Sequence, residues 1–223
     1  MPRLAAVVFD FDGVIIDSET AEYESHRRLY ERAGAALTPV EWCDQIGVWT
    51  EGEEERWCQR LAVLTGVPLD FAAFKADQHR FFREIVAREP MRGIRDLLDV
   101  LAQAQVPLAI ASTSPARWVV PAVGDLGLAA FFRTIVTADD VRRRKPAPDV
   151  YLEAARRLGA DPARSVAIED SGPGIASATA AGMKTIAIPH WLTESHDLAA
   201  ATLQVAHAGE LTVEVLEQLI DGT

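Results

Sequence analysis

Two aspartates, separated by a single residue, follow a short apolar run near the N-terminus. The run covers residues 4–9 and is rich in Val, which is typical of a buried strand in a parallel sheet. Asp10 ends the run and Asp12 follows it, and in extended backbone this spacing places both carboxylates on one side. Two such carboxylates can bind a hard cation, or can act as nucleophile and proton carrier. The stretch therefore predicts a cation site or a catalytic pair at the end of the first strand.

Two other interpretations apply to these aspartates. The D-x-D-G pattern also opens a calcium-binding loop, but position six of that loop would be Ile15 instead of Gly, and position twelve would be Ala21 instead of Glu. The spacing therefore excludes the calcium loop. An aspartate after a strand is also a common turn residue or helix N-cap, and this interpretation stays open on this stretch alone.

Composition and charge restrict what the chain binds. It has 223 residues, of which 49% are hydrophobic and 25% are charged, as in ordinary globular proteins. A net charge of −11 disfavours nonspecific binding to nucleic acid or to an anionic membrane. No apolar run has membrane-spanning length, no signal-peptide pattern is present, and Cys43 and Cys58 form no metal or redox motif. We expect a cytoplasmic monomer or weak homodimer that acts on a small molecule, without nucleic-acid or membrane partners.

The helix and strand signals divide the chain into distinct parts. Residues 17–89 carry helical patterns and no convincing strand, whereas strands and helices alternate from residue 93 onward. Ser18 and Ser114 are expected to be helix N-caps, and one helix is expected over residues 146–158. The alternation predicts an α/β fold with a doubly wound parallel sheet, formed by residues 1–16 and 90–223, into which an all-helical segment, residues 17–89, is inserted.

Polar residues that suit one chemistry fall at strand ends or helix starts of this predicted fold. They are Asp10 and Asp12, Ser112, Lys145, and Glu169 with Asp170. A hydroxyl and an ammonium can hold the oxygens of a phosphoryl group while carboxylates hold a magnesium ion against it. Each residue also has a plain structural role: Ser112 as a turn residue, Lys145 as a solvated charge, Glu169 and Asp170 as acids before a helix. Their coincidence at one edge of one sheet favours a common site.

Four motifs in the correct order give the chain a family resemblance. They are D-F-D-G-V-I-I-D-S-E at 10–19, A-S-T-S at 111–114, R-K-P-A-P-D-V-Y at 144–151 and I-E-D-S-G-P-G-I-A-S-A at 168–178. The chain resembles haloacid-dehalogenase-type phosphohydrolases with a helical cap inserted after the first motif, and is similar to β-phosphoglucomutases and their phosphatase relatives. The resemblance implies a Rossmann-like core and a cap at residues 17–89.

The resemblance also implies catalytic roles. Asp10 would be the nucleophile that becomes an aspartyl-phosphate. Asp12 would protonate the leaving alcohol and then activate the hydrolytic water. Ser112 and the backbone at Thr113 would receive phosphoryl oxygens, and Lys145 would offset their charge.

A magnesium ion is the cofactor that the resemblance implies. Asp170 would be a side-chain ligand, and Glu169 would support the ion directly or through water. Asp10 and the backbone carbonyl of Asp12 would complete the protein ligands.

The first motif also narrows the reaction within the family. Asp12 favours phosphoryl transfer, because the family's dehalogenases do not need it. A phosphonate-cleaving relative would need a Schiff-base lysine in the cap, and nothing in the sequence places Lys75, the only lysine of residues 17–89, in the site. The size of the chain and the lack of membrane segments exclude a transport ATPase.

A phosphomutase of the β-phosphoglucomutase type is the alternative to a phosphatase. It must hold a bisphosphorylated intermediate and therefore needs a cation in its cap. The family mutase carries an Arg shortly after the Gly-Val of its cap loop, where this chain has W-T-E at 49–51, and Glu22 stands where relatives often have His. Arg56 or His79 could substitute, although nothing in the sequence marks them. These departures favour a phosphatase, and the intact motifs disfavour a third alternative, a non-catalytic phospho-ligand binding protein.

The predicted cap loop also indicates a substrate class. Trp49 and Glu22 are the candidate substrate contacts, whereas Trp42 and Trp57 are expected to fill the core of the helical segment. Glutamates follow Trp49 at positions 51, 53, 54 and 55. Together with Glu22 they predict a wall that repels anions, and hence a monophosphate of a neutral sugar or polyol as substrate. The alternative is that these glutamates lie on the solvated outer face of the third helix in this segment and do not meet the substrate.

Overall fold

A parallel six-stranded sheet is the centre of the fold, which confirms the predicted α/β class. The computed structural model describes residues 4–43, 45–47 and 52–222, and only the backbone of residues 53 and 54. The strands are β1 (Ala6–Phe9), β2 (Leu108–Ala111), β3 (Thr134–Val136), β4 (Ser165–Glu169), β5 (Lys184–Ala187) and β6 (Leu203–Gln204). They lie in the order β3-β2-β1-β4-β5-β6, and every neighbouring pair is parallel.

Helices cover both faces of the sheet. The first four helices are α1 (Ser18–Arg32), α2 (Pro39–Cys43), α3 (Glu53–Thr65) and α4 (Phe71–Ile85), and the others are α5 (Ile94–Gln103), α6 (Ala116–Asp125), α7 (Asp149–Leu158), α8 (Gly172–Ala180) and α9 (Val213–Asp221). Successive side chains of β1 enter different clusters: Val7 and Phe9 pack with α5, α6 and α9, whereas Val8 packs with α7 and α8. The sheet is therefore buried on both faces, as its continuous apolar strands predict.

The strand order creates a crevice between β1 and β4. The chain moves outward from β1 through β2 to β3, and then returns to the other side of β1 to form β4. Connections that leave β1 and β4 diverge, and ligands of such sheets bind in the opening at the carboxyl ends of the strands. Phe9 is paired with Ile168, so Asp10 lies beside Glu169 and Asp170.

Residues 17–89, called the cap segment below, contain α1 to α4 and no strand in their described part. Their buried side chains, Tyr30, Trp57 and Leu61 among them, lie together in one hydrophobic cluster. The helices expected in this segment are confirmed. That the segment is a separate domain stays a prediction.

A segment that follows β5 reaches from the sheet to the cap segment. Within this strap, residues 190–197, Leu192 is fully buried in the cluster of the cap segment. The backbone N–H of Gly172 donates to Nδ1 of His196 (3.3 Å), so the N–H at Nε2 is left to donate to the Cys43 carbonyl (3.0 Å). The strap therefore joins the two parts of the molecule through both apolar and polar contacts.

The expected N-cap of α1 is wrong. Asp17, one residue earlier than Ser18, is the N-cap, and its Oδ1 accepts a hydrogen bond from the backbone N–H of Thr20 at 3.0 Å. Asp competes well with Ser for this position because its carboxylate also interacts favourably with the positive end of the helix. The hydroxyl of Ser18 is therefore available for another partner.

The expected N-cap of α6 is wrong as well. Pro115 occupies that position, and the backbone N–H of Ala116 donates to Oδ2 of Asp139 at 2.9 Å. A carboxylate from a distant turn thus satisfies the start of the helix, and Ser114 is free to bind elsewhere.

Helix α7 begins at Asp149, three residues later than the sequence predicts. Pro146 and Pro148 explain the delay, because a proline disfavours helical backbone in the residue that precedes it. Lys145 therefore lies in a turn before the helix, joined to Pro146 by a cis peptide bond.

Over the described ranges, no helix is both long enough and apolar enough to cross a bilayer.

Candidate active site

A buried ammonium group joins the carboxyl ends of β1 and β4. Nζ of Lys145 donates to Oδ1 of Asp10 and to Oε1 of Glu169, each at 2.6 Å. Lys145 is only 4% exposed, and its Nζ also lies 5.1 Å from the ring centroid of Tyr151. A charge buried this deeply is tolerated only when it is paired. The ion pairs therefore fix the positions of the two strand ends relative to each other.

Burial makes the carboxyl group of Asp10 harder to ionise, whereas its carboxylate partners keep Lys145 charged. It raises the pKa of Asp10 to about 7; the charge of Lys145 opposes this rise, whereas Glu169 and Asp12 add to it. Burial alone would lower the pKa of Lys145, but Asp10 and Glu169 together raise that pKa above its ordinary value. A second cation beside Asp10 would favour its carboxylate form, because an opposite charge lowers the pKa of an acid.

Asp170 has a carboxylate oxygen that could bind such a cation. Burial, with repulsion from Glu169 and Asp10, raises the pKa of Asp170 well above its usual range, and its buried Oδ2 accepts no hydrogen bond from the described residues. Glu169 differs, since its oxygens accept from the hydroxyls of Tyr151 (2.5 Å) and Ser171 (3.3 Å) as well as from Lys145. Asp10, Glu169 and Asp170 offer oxygens within 4.8 Å of one another, a donor set that fits a hard cation such as Mg²⁺.

Asp12 is held by a different set of partners. Its Oδ1 accepts from the Ser18 hydroxyl (2.6 Å) and from the indole N–H of Trp118 (2.9 Å), and its Oδ2 accepts from the Ser114 hydroxyl (2.6 Å). The two serines that were expected to be helix N-caps thus bind Asp12 instead. Its carboxylate lies outside the three-carboxylate cluster, and its backbone carbonyl as a metal ligand stays a prediction.

The stretch after β2 places Ser112 behind the surface of the site. Ser112 is 1% exposed, its hydroxyl oxygen accepts from the backbone N–H of Ser114 (3.0 Å), and that hydroxyl lies 3.4 Å from Oδ2 of Asp12. Thr113 and Ser114 line the cavity in front of it. The expected contact of Ser112 with a phosphoryl group stays a prediction, and Thr113 is well placed for such a contact.

A cavity of about 750 Å³ lies between the sheet edge and the cap segment. Asp10, Asp12, Lys145 and Asp170 form its floor, and Glu22 lies on the opposite wall. The structure thus brings these sequence-predicted residues together around one cavity.

Of the glutamates that were expected to form an anion-repelling wall, Glu22 lines the cavity. Oε2 of Glu22 accepts a hydrogen bond from the Gln78 amide at 2.8 Å. Glu55 is exposed and does not line the cavity, while Trp49 and Glu51 lie outside the described residues.

Helix α4 brings positive charge to the same wall. Lys75, His79 and Arg83 are spaced four residues apart, so they share one face of α4, and all three line the cavity. Arg117 and Arg144 line it from the side of the sheet. Nothing in the sequence places Lys75 in the site, whereas the structure places it on the cavity wall. The described wall carries Lys75 and Arg83 as well as Glu22, and the anion-repelling loop stays a prediction because Glu51 and the side chains of residues 53 and 54 lie outside the described structure.

Aromatic side chains complete the wall. Trp42 and Trp57 are buried in the cluster of the cap segment, as expected, with ring centroids 4.9 Å apart, and both also line the cavity. The indole Nε1 of Trp42 is buried and has no hydrogen-bond partner among the described residues. Since a buried donor of this kind normally has a partner, a ligand oxygen in the cavity is the natural acceptor.

Tyr151 and Trp118 contact the predicted acids of the site, and the sequence analysis assigned neither of them a role. Tyr151 belongs to the third motif, and its position two residues into α7 could have suggested a contact with the strand-end acids. Trp118 lies four residues after Ser114, hence on the same face of the following turn, but nothing in the sequence connects it with Asp12.

Comparisons with known proteins agree with this geometry. Residues 7–188 match the family described as haloacid dehalogenase-like hydrolase. A phosphorylated carbohydrates phosphatase of Thermotoga maritima is 29% identical over 97% of this chain and 100% of its own. The fructose-1-phosphate phosphatase YqaB of Escherichia coli is 30% identical over 82% of this chain and 96% of its own. Among solved structures, CbbY from Rhodobacter sphaeroides in complex with phosphate has a TM-score of 0.72 at 26% identity, over 96% of this chain and 99% of its own.

Substitution of Gly174 tests how closely the side chain of Glu169 packs against α8. A Cβ atom at this position of α8 would lie 2.0 Å from Oε2 of Glu169, so Gly174→Ala should displace a carboxylate that Lys145 and Tyr151 bind. We expect the free energy of unfolding to fall by about 1–3 kcal/mol and activity to fall with it. Thermal denaturation and a phosphatase assay measure both effects.

Gly124→Ala is the matched control for this substitution. Gly124 also lies in a helix, α6, but nothing lies within 4 Å of its would-be Cβ. The change should leave activity unaltered and stabilise the protein slightly, since Ala is the better helix former. Equal effects of the two substitutions would contradict the close packing of Glu169.

Proposed function

Because the chain belongs to the haloacid dehalogenase-like hydrolase family, we propose that it is a magnesium-dependent phosphatase acting on a small phosphorylated sugar or polyol through an aspartyl-phosphate. The observation that carries the proposal is the placement of Asp10 at the end of β1. There it lines the cavity, is bound to Lys145, and lies beside an Asp170 oxygen that has no partner in the described part of the chain. The names of the two phosphatase relatives support the substrate class.

The proposed reaction has two steps. A carboxylate oxygen of Asp10 attacks phosphorus, the bond from phosphorus to the leaving oxygen breaks, and Asp12 gives that oxygen a proton. Asp12, now a carboxylate, takes a proton from a water molecule whose oxygen attacks the phosphorus. Inorganic phosphate leaves and the carboxylate of Asp10 is restored.

Lys145 and the carboxylate cluster prepare the site for this reaction. The ammonium of Lys145 keeps Asp10 oriented and offsets negative charge on the phosphoryl oxygens. A magnesium ion held by Asp170 and Asp10, with the carbonyl of Asp12 and the support of Glu169, would supply further positive charge against those oxygens.

The wall of the cavity suits a hydroxylated leaving group. Among the described residues, the indole N–H of Trp42 has no partner, and Glu22 and Gln45 offer further polar groups to the cavity. Sites for small molecules combine apolar walls with a few polar groups that orient the ligand, and Trp42 with Trp57 supplies the apolar part. The expectations of cytoplasmic location and of a monomer or weak homodimer stay predictions.

A phosphomutase remains the second candidate because of the face of α4. A mutase needs a cation opposite the catalytic acids to hold the distal phosphate of its intermediate, and Lys75, His79 and Arg83 place such groups on the cavity wall. Phosphatase and mutase therefore differ in what these side chains bind during turnover.

Substitution of the two aspartates tests the mechanism. Asp10→Asn should abolish phosphate release, because an amide is too weak a nucleophile. Asp12→Asn should lower kcat by about 10²–10⁴-fold, the usual contribution of a proton carrier. Release of inorganic phosphate measures activity, and thermal denaturation checks folding. A normal rate in folded Asp10→Asn protein would refute the mechanism.

Metal dependence is tested by chelation. A chelator should stop turnover and excess magnesium should restore it, whereas calcium should inhibit because its larger, looser coordination shell disturbs the in-line geometry. Asp170→Asn should raise the magnesium concentration that gives half the maximal rate. Glu22→Gln, which removes the same charge from the far wall, should leave that concentration unchanged. Full activity in excess chelator would rule out the metal.

The two candidate reactions are separated by their products. With a sugar 1-phosphate and a trace of sugar bisphosphate, we expect ³¹P NMR to show inorganic phosphate; conversion to an isomer without phosphate release would identify a mutase. Arg83→Gln should raise KM for a bisphosphate more than for a monophosphate if α4 binds the distal group. Arg80→Gln is the control, since Arg80 pairs with Asp77 and does not line the cavity.

A further inference from the structure

Trp118 contacts the proposed proton carrier directly. This half-buried residue of α6 lines the cavity, and its Nε1 donates to Oδ1 of Asp12 at 2.9 Å. The contact connects residues that are 106 positions apart in the chain. The 2.9 Å distance is that of a good hydrogen bond.

Two phenylalanines hold the indole ring in place. Phe11, the residue between the two aspartates, meets the ring edge-on with centroids 6.1 Å apart. Phe82 of α4 meets it edge-on at 5.2 Å from the cap segment. Edge-to-face contacts at these distances are favourable and directional, so the ring has little freedom to turn away from Asp12.

The chemistry of the partners makes the two oxygens of Asp12 unequal. An indole N–H can only donate, so Trp118 requires Oδ1 to remain an acceptor. Both oxygens also accept from a hydroxyl, Oδ1 from Ser18 and Oδ2 from Ser114, and a hydroxyl can rotate to accept a hydrogen bond as readily as it donates one. The indole N–H is therefore the partner that distinguishes Oδ1 from Oδ2. When Asp12 carries a proton, that proton therefore belongs on Oδ2.

We propose that Trp118, packed edge-to-face against Phe11 and Phe82, is a positioning residue that fixes the orientation of Asp12 so that Oδ2 delivers the proton to the leaving oxygen. The inference rests on the proposed role of Asp12 as general acid. Trp118 itself transfers nothing. It selects which oxygen of Asp12 is free to act.

The reactivity of the leaving group provides the test. An alkoxide leaving group needs a proton as the bond to phosphorus breaks, whereas p-nitrophenolate leaves without one. The ratio kcat/KM reports only the steps up to departure of the leaving group, so the later hydrolysis of the aspartyl-phosphate does not enter. The magnesium-loaded protein is therefore assayed with glycerol phosphate and with p-nitrophenyl phosphate.

Trp118→Phe keeps an aromatic ring and removes the N–H. We expect kcat/KM for glycerol phosphate to fall by about 10- to 100-fold, in line with loss of a hydrogen bond to a charged group, and that for p-nitrophenyl phosphate to change less than about twofold. Phe82→Leu should cause a smaller loss with the same selectivity. In protein that already carries Trp118→Phe, the change at Phe82 should add nothing, because the two act through one contact.

Trp191→Phe is the matched control. Trp191 also donates its indole N–H to a side chain where the strap meets the cap segment, the Thr20 hydroxyl at 2.9 Å, but it does not line the cavity. Both kcat/KM values should stay within about twofold of the wild type.

Asp12→Asn separates failure of the inference from failure of the proposed function. If this variant slows both esters equally, Asp12 is not the general acid and the proposed mechanism fails. If it is selective for glycerol phosphate but folded Trp118→Phe slows both esters equally, or neither, Trp118 does not position the acid and the inference is overturned. If Trp118→Phe does not fold, the selectivity of Phe82→Leu decides in the same way.

Discussion

The ion pairs of Lys145 with Asp10 and Glu169 are the interaction on which the rest of the structure depends. Asp170 adds a further buried carboxylate to the same place, and one ammonium cannot balance so many acids. Removing one partner of a buried ion pair costs far more than the pair contributes, because the remaining charge is left without compensation. Lys145 therefore makes the site possible, and the acids that it leaves unbalanced form a donor set that fits a divalent cation.

The strand order brings those charges together. Because β1 and β4 are neighbours at the point where the chain reverses its direction across the sheet, their last residues meet although most of the chain separates them. The turns around this edge then supply the finer contacts. Asp17 and Asp139 satisfy the starts of two helices, and the serine hydroxyls that would otherwise do so, Ser18 and Ser114, bind Asp12 instead.

The floor of the site could be predicted from the sequence, and its wall could not. Strand ends are local features that apolar runs and their polar boundaries mark, and so Asp10 and Asp170 were found. The N-caps are harder to predict, because a distant carboxylate such as that of Asp139 can bind the first backbone N–H groups of a helix once the chain is folded. The face of α4 that carries Lys75 has no local signal either, because its exposure to the cavity follows from how the cap segment packs on the sheet. The contact of Trp118 with Asp12 likewise depends on tertiary packing and has no local sequence signal.

The strap has a consequence for how the molecule unfolds. Leu192 follows β5 in the sequence, yet its side chain is fully buried in the hydrophobic cluster of the cap segment. The helices of the cap segment therefore share their hydrophobic cluster with the strap, and they cannot unfold without exposing Leu192 to water. Shared burial of this kind couples two parts of a chain into one cooperative unit. The same contact restricts exchange of the cap segment between relatives. A cap segment from a relative would be mismatched where Leu192 packs, unless the relative's equivalent of residues 190–197 were exchanged with it.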